Sequence, residues 1–155
     1  MGIMPVFPGN PRQKWQYAVL VDGLPAAYFQ SAQIPACSVE QDTFNPMGSI
    51  RPTKFAGRLS YEDCTLAKGM PSEVIDRAAF DWLTQAANPI TGDTGLPTEY
   101  KREVEILHVN KKGIVVQRWI LHGAYCTKVE WEQNEGSSDH MVETLTLSVD
   151  WVTME

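Results

Sequence analysis

The sequence predicts an α+β domain, mainly β: an antiparallel β-sandwich or barrel with one flanking α-helix, filling residues 1–155 as a single domain. Three observations predict it. Apolar and polar residues alternate with a period of two through most of the chain. One stretch near the middle carries the helical period instead. Short clusters of Gly, Pro, Asn and Asp punctuate the segments. With 155 residues, 43% hydrophobic and 21% charged, the chain can bury a core without disulfides or metal. Its longest apolar runs, such as "YAVLV" at 17–21, are far too short to span a bilayer.

The elements follow in order. Prolines and glycines mark residues 1–13 as an N-terminal arm, and "MGIMPVFPGNPRQKW" lacks the features of a signal peptide, so synthesis and folding in a cytoplasm are expected. Trp15, Tyr17, Val19 and Val21 alternate in a first strand, and Asp22-Gly23 is a hairpin signal because both residues tolerate positive φ. A second strand runs from about Ala27 to Gln33; Pro35 breaks it, and Cys37, Val39 and Gln41 begin a third. Residues 44–55, containing "FNPMGSIRPTK", hold two prolines and a glycine with little to bury, which predicts a projecting loop. "GRLSYEDCTLAKG" resumes extended character.

A helix is expected over 72–86, started by Pro71 and Ser72 and stopped by Asn88-Pro89. Val74, Ile75, Ala78, Trp82 and Leu83 form its core-facing stripe. The rest reads as four strands in a meander, "REVEILHV", "IVVQRWILHG", "AYCTKVEWEQ" and "HMVETLTLSVDWV", for about eight strands in all.

The search for chemistry returns little. Cys37, Cys64 and Cys126 have no CxxC spacing and read as reduced packing residues. His108, His122 and His140 are scattered over strands and strand ends, and no phosphate loop, paired zinc histidines or nucleophile elbow is present. No catalytic residue, metal ligand or cofactor is expected, and the chain does not read as an enzyme. Glu103 with Glu105, or Glu130 with Glu132, could serve a glycan-processing enzyme only if they converged. The net charge of −6 lies wholly beyond residue 127, where seven acids face one base. A nucleic-acid reader would need a basic patch, so tight DNA binding is disfavoured. Five tryptophans and strands apolar on both faces instead suggest self-assembly.

"VDGLPAAYFQSAQIP", "KFAGRLSYEDCTLAKGM" and the helix containing "FDWL" together resemble the tail tube proteins of contractile phage tails. The resemblance covers about residues 14–130; the loop "NPITGDTGLPTEYKRE" and the acidic C-terminal stretch depart from it. It implies a tail-tube fold and a structural virion protein whose hexameric rings stack into a hollow tube. The implied partners are further copies of the chain, the tail sheath protein outside, and baseplate and tail terminator proteins at the ends, with no membrane. DNA would pass through the lumen into the host without specific binding, and assembly would take place in the bacterial cytoplasm. By the same resemblance Glu40, Asp42, Glu130 and Glu132 are candidates to face the lumen, and Phe44, Asn45, Pro46, Met47, Ile50 and Arg51 to reach the next ring. The alternatives are the inner tube of a bacterial contractile injection system or pyocin-like particle, and a small-ligand-binding β-barrel.

Overall fold

A computed structural model describes residues 17–21, 29–69, 77–132 and 141–155. These carry nine strands and two helices: β1 (Tyr17–Val21), β2 (Phe29–Gln33), β3 (Cys37–Phe44), β4 (Thr53–Tyr61), β5 (Cys64–Gly69), α1 (Ala78–Ala86), α2 (Pro97–Tyr100), β6 (Arg102–Val109), β7 (Val115–Glu132), β8 (Val142–Ser148) and β9 (Trp151–Met154). The main sheet runs β1-β6-β7-β8-β5-β2, with β9 also on β7, and every pairing is antiparallel. β3 and β4 pair only with each other among the described residues.

The long strand β7 organises the molecule. Its first half pairs with β6 and β9, and its second half with β8. One layer is therefore β1, β6, β9 and the start of β7; the other is β2, β5, β8 and the end of β7. Val19, Val21, Val104, Ile106 and Leu121 from the first layer join Cys64, Leu66, Cys126, Leu145 and Leu147 from the second in one core, completed by Ala79 and Trp82 of α1. Alternation explains which residues go inside: β5 and β8 bury every second side chain. Of sandwich and barrel, the structure is the sandwich. β1 and β2 end the strand path without pairing to each other, so the sheet is not closed among the described residues.

The meander differs from expectation at two places with a shared cause. "IVVQRWILHG" and "AYCTKVEWEQ" are one strand, and the final run is two, β8 and β9. Gly123, φ +64°, bends β7 instead of ending it, and opposite it the chain bends at Asp150, whose N–H donates to the His122 carbonyl at 3.0 Å. A Cβ at Gly123 would run into the Asp150 carboxylate. The two bends carry neighbouring strands round the same corner from one layer to the other.

Arg77 is non-helical (φ −116°, ψ 2°) and caps α1, so the described helix starts at Ala78. Residues 72–76, and with them the expected cap Ser72 and stripe residues Val74 and Ile75, lie outside the described residues, as do the arm 1–13, Trp15, the Asp22-Gly23 turn and His140. Trp82 is wholly buried, and Ala78 and Leu83 pack half-buried against the same core. The Trp82 indole N–H donates to the Tyr100 carbonyl at 2.7 Å, tying α1 to α2, while the Arg102 guanidinium lies 5.0 Å over its ring.

Candidate assembly surfaces

The outer face of the second layer is polar because register and alternation put the same residue types on it in rows. Gln33, Thr65, Thr146 and Lys128 stand side by side across β2, β5, β8 and β7. Ser31, Ala67, Thr144 and Glu130 form the next row, and Glu132 follows opposite Val142. Lys128 and Glu130 form an ion pair on this surface, which leaves Glu132 as its uncompensated charge among the described residues. Glu130 and Glu132 are exposed and share the face.

The inner face of the same layer carries a feature that the sequence did not reveal. Its rows read Cys126–Leu147–Cys64, then Val129–Leu145–Leu66–Ala32, then Trp131–Glu143–Lys68–Phe29. The last contains a buried ion pair: Lys68 Nζ lies 3.4 Å from Glu143 Oε1, with side chains 0% and 2% exposed. That oxygen makes a charge contact without a hydrogen bond, whereas Oε2 accepts the Trp131 indole N–H at 2.7 Å. Trp131 in turn meets Phe80 of α1 at 6.2 Å between ring centroids. Only the pairing of β5 with β8 brings Lys68 to Glu143, so neither residue is conspicuous in the linear chain.

The β3–β4 hairpin is exposed almost throughout. Phe44 pairs with Thr53, so the expected loop 44–55 is shorter than predicted: strand pairing absorbs Phe44 and residues 53–55, and the tip is 45–52. There Gly48 takes φ +86° and the Ser49 N–H donates to the Pro46 carbonyl at 3.1 Å. Met47 and Ile50 are fully exposed, Phe44, Asn45 and Arg51 are exposed, and Pro46 is half-buried. Glu40 and Asp42 lie on this hairpin, close to Gly57, and not on the sheet that holds Glu130 and Glu132. The four candidates for the lumen therefore fall into two pairs on separate sheets.

Among the described residues, groups capable of catalysis do not converge. The arrangement most like a catalytic one is His122, whose Nε2 is 2.8 Å from Thr153 Oγ1 and whose Nδ1 is 3.8 Å from Glu103. It stacks on Trp151 on an open sheet face, and the adjacent β7–β9 backbone is engaged in the strand ladder. Open clefts lie along the hairpin and beside the 84–95 loop. No cluster of three His, Cys, Asp or Glu suited to a metal ion occurs among the described residues. Cys64 and Cys126 are buried free thiols, their pKa values pushed up by burial to about 12 and about 11.

Residues 13–153 match the family described as T4-like virus tail tube protein gp19. The chain belongs to this tail tube family. No curated protein sequence matches it. Among solved structures, this tail tube protein is similar to a chain of the anti-feeding prophage tube-terminating cap, at TM-score 0.78 and 19% identity, covering 98% of this chain and 95% of that one. A chain of the sheath/tube terminator of the extracellular contractile injection system PVC matches at TM-score 0.77 and 21% identity, covering 95% and 98%. A chain of the PVC sheath-tube complex matches at TM-score 0.74 and 22% identity, covering 94% and 91%. Hcp1 from Flavobacterium johnsoniae shares the fold more distantly, at TM-score 0.55 and 14% identity over 90% of this chain and 94% of that one. By their descriptions the family is a viral tail tube protein, and the first three neighbours come from a tube-terminating cap, a sheath/tube terminator and a sheath-tube complex.

Proposed function

We propose that this tail tube protein is the repeating subunit of an inner tail tube, six copies to a ring, with rings stacked inside a contractile sheath and DNA leaving the phage through the bore. The observation that carries the reading is the β3–β4 hairpin, which displays Phe44, Met47, Ile50, Phe55 and Leu59 to solvent and leaves both its strand edges unpaired among the described residues. Such edges and patches call for coverage by other copies. The tip 45–52 reaches the adjacent ring, α1 lies on the outside near the sheath, and baseplate and terminator proteins close the tube ends. Assembly takes place in the bacterial cytoplasm, and the product is part of the virion.

The bore is lined by the polar face of the second layer. Hydroxyls and amides dominate it, Lys128 is held by Glu130, and Glu132 adds negative charge. Duplex DNA carries one negative charge per ~1.7 Å, so a basic bore would retain it by counterion release, whereas this face lets it slide. Negative-stain microscopy and sedimentation over a wide concentration range test the reading: rings and tubes are expected. A persistently compact monomer refutes it, and a saturable apolar ligand on that monomer would favour the ligand-binding barrel.

A further inference from the structure

Two surfaces remain to which the tube reading assigns no mate. One is a face of the β3–β4 hairpin. Glu40 and Asp42 project on the same side of β3, flanking Gly57, and Phe44 and Phe55 join them there, because Asp42 is registered opposite Phe55 and Phe44 opposite Thr53. Both aromatic rings are more than half exposed. Lys54 and Thr43, registered with each other, occupy the opposite side. The other surface is the β6–β7 turn, "NKKGIVV". Asn110 makes it rigid: its side-chain oxygen accepts from the Lys112 and Ile114 N–H groups at 2.9 and 3.0 Å, and its carbonyl from Gly113, which sits at φ +79°. The turn holds Lys111 and Lys112 beside the exposed aliphatics Ile114, Val115 and Val116.

We propose that these two surfaces are mates: the acidic, aromatic hairpin face of one copy of this chain packs on the basic, aliphatic β6–β7 turn of a neighbouring copy. The chemistry matches in number and kind. Two carboxylates, two residues apart along a strand and hence roughly 6–7 Å from each other, meet two adjacent ammonium groups, and beside them two phenyl rings meet three branched side chains. None of Glu40, Asp42, Lys111 and Lys112 has an ion-pair partner in its own chain among the described residues. A nucleic acid would satisfy the lysines but leave the aliphatic residues uncovered, and a chain of net charge −6 repels it. Because the two patches are different parts of one subunit, the contact is head-to-tail and propagates, as a ring or a stack requires. It gives Glu40 and Asp42 an interfacial role, distinct from the bore-facing role of Glu130 and Glu132.

The inference rests on the tube reading, and charge reversal tests the two separately. Glu40→Lys with Asp42→Lys, and independently Lys111→Glu with Lys112→Glu, should each leave the circular dichroism unchanged yet raise the concentration needed for assembly by about tenfold or more at low salt. All four reversals together should restore assembly. Wild type that assembles while both reversed forms assemble equally well overturns the pairing alone, as does failure of the combined variant to recover while it remains folded. Wild type that never assembles overturns the tube reading and this inference with it. Glu130→Lys with Glu132→Lys serves as the control and should assemble normally.

Discussion

Replacing one member of the buried Lys68–Glu143 pair should cost far more than replacing both. Glu143→Gln keeps an acceptor for the Trp131 N–H but removes the Glu143 charge from beside the Lys68 ammonium in a site of 0% exposure. Breaking such a pair costs about 3–5 kcal/mol, because the remaining charge keeps its desolvation penalty and loses its compensation. Lys68→Met strands the carboxylate in the same way, with the indole as a donor, and should cost a similar amount. The double variant Lys68→Met with Glu143→Gln buries no charge and retains the Trp131 hydrogen bond, so it should lie within about 1–2 kcal/mol of wild type. Urea denaturation at concentrations below assembly, with the slope checked for constancy, gives all four free energies. Strong non-additivity is expected, with most of the loss recovered in the double variant. Single-variant losses below about 1 kcal/mol, or costs that simply add, would refute the claim that this row is a coupled, desolvated pair.

Four further outcomes follow from the packing. Trp82→Ala should destabilise the fold by about 3–5 kcal/mol, since it empties a fully buried site and removes the link to the Tyr100 carbonyl; an unchanged urea midpoint would place the α1 stripe outside the core. Gly123→Ala should cost about 1–3 kcal/mol, from the positive φ and the clash with Asp150, and Asp150→Gly in the same chain should recover part of that loss in thermal melts. At pH 8 a thiol reagent should label Cys37 alone until the chain is unfolded. Above pH 9 the unfolded chain ionises Cys64 and Cys126 while the folded chain keeps them protonated, so stability should fall as pH rises from about 9 toward about 12; replacing both by Ala should flatten that part of the pH–stability curve.

What the sequence disclosed depended on how locally each feature is encoded. The alternation of Leu145 and Leu147 with Thr144 and Thr146 is a property of neighbouring residues, and it predicts both the strand and its two faces. Trp82 stands out for the same reason. The bend at Gly123 was misread because glycine serves a turn and a kink equally well, and only the approach of Asp150 from a strand that follows much later decides between them. Glu40, Asp42, Glu130 and Glu132 look alike in a list of strand acids, yet β3 leaves the main sheet and β7 does not. The Lys68–Glu143 row had no legible signal at all, since each residue alone resembles an ordinary polar position near a strand end. Burial is conferred there by register, which is a long-range quantity.

The continuity of β7 also orders events in time. Its partners β6, β8 and β9 all lie within residues 102–154, joined to it by short connections, so they can pair at little cost in loop closure. By contrast, Tyr17 must find His108, and Cys64 must find Leu147, across most of the chain. The C-terminal half is thus the natural scaffold on which β5, β2 and β1 are laid down afterwards. The β3–β4 hairpin, whose own pairing is local, would be held in its final place on a newly made subunit only once β2 and β5, which flank it in the chain, have docked on the consolidated centre.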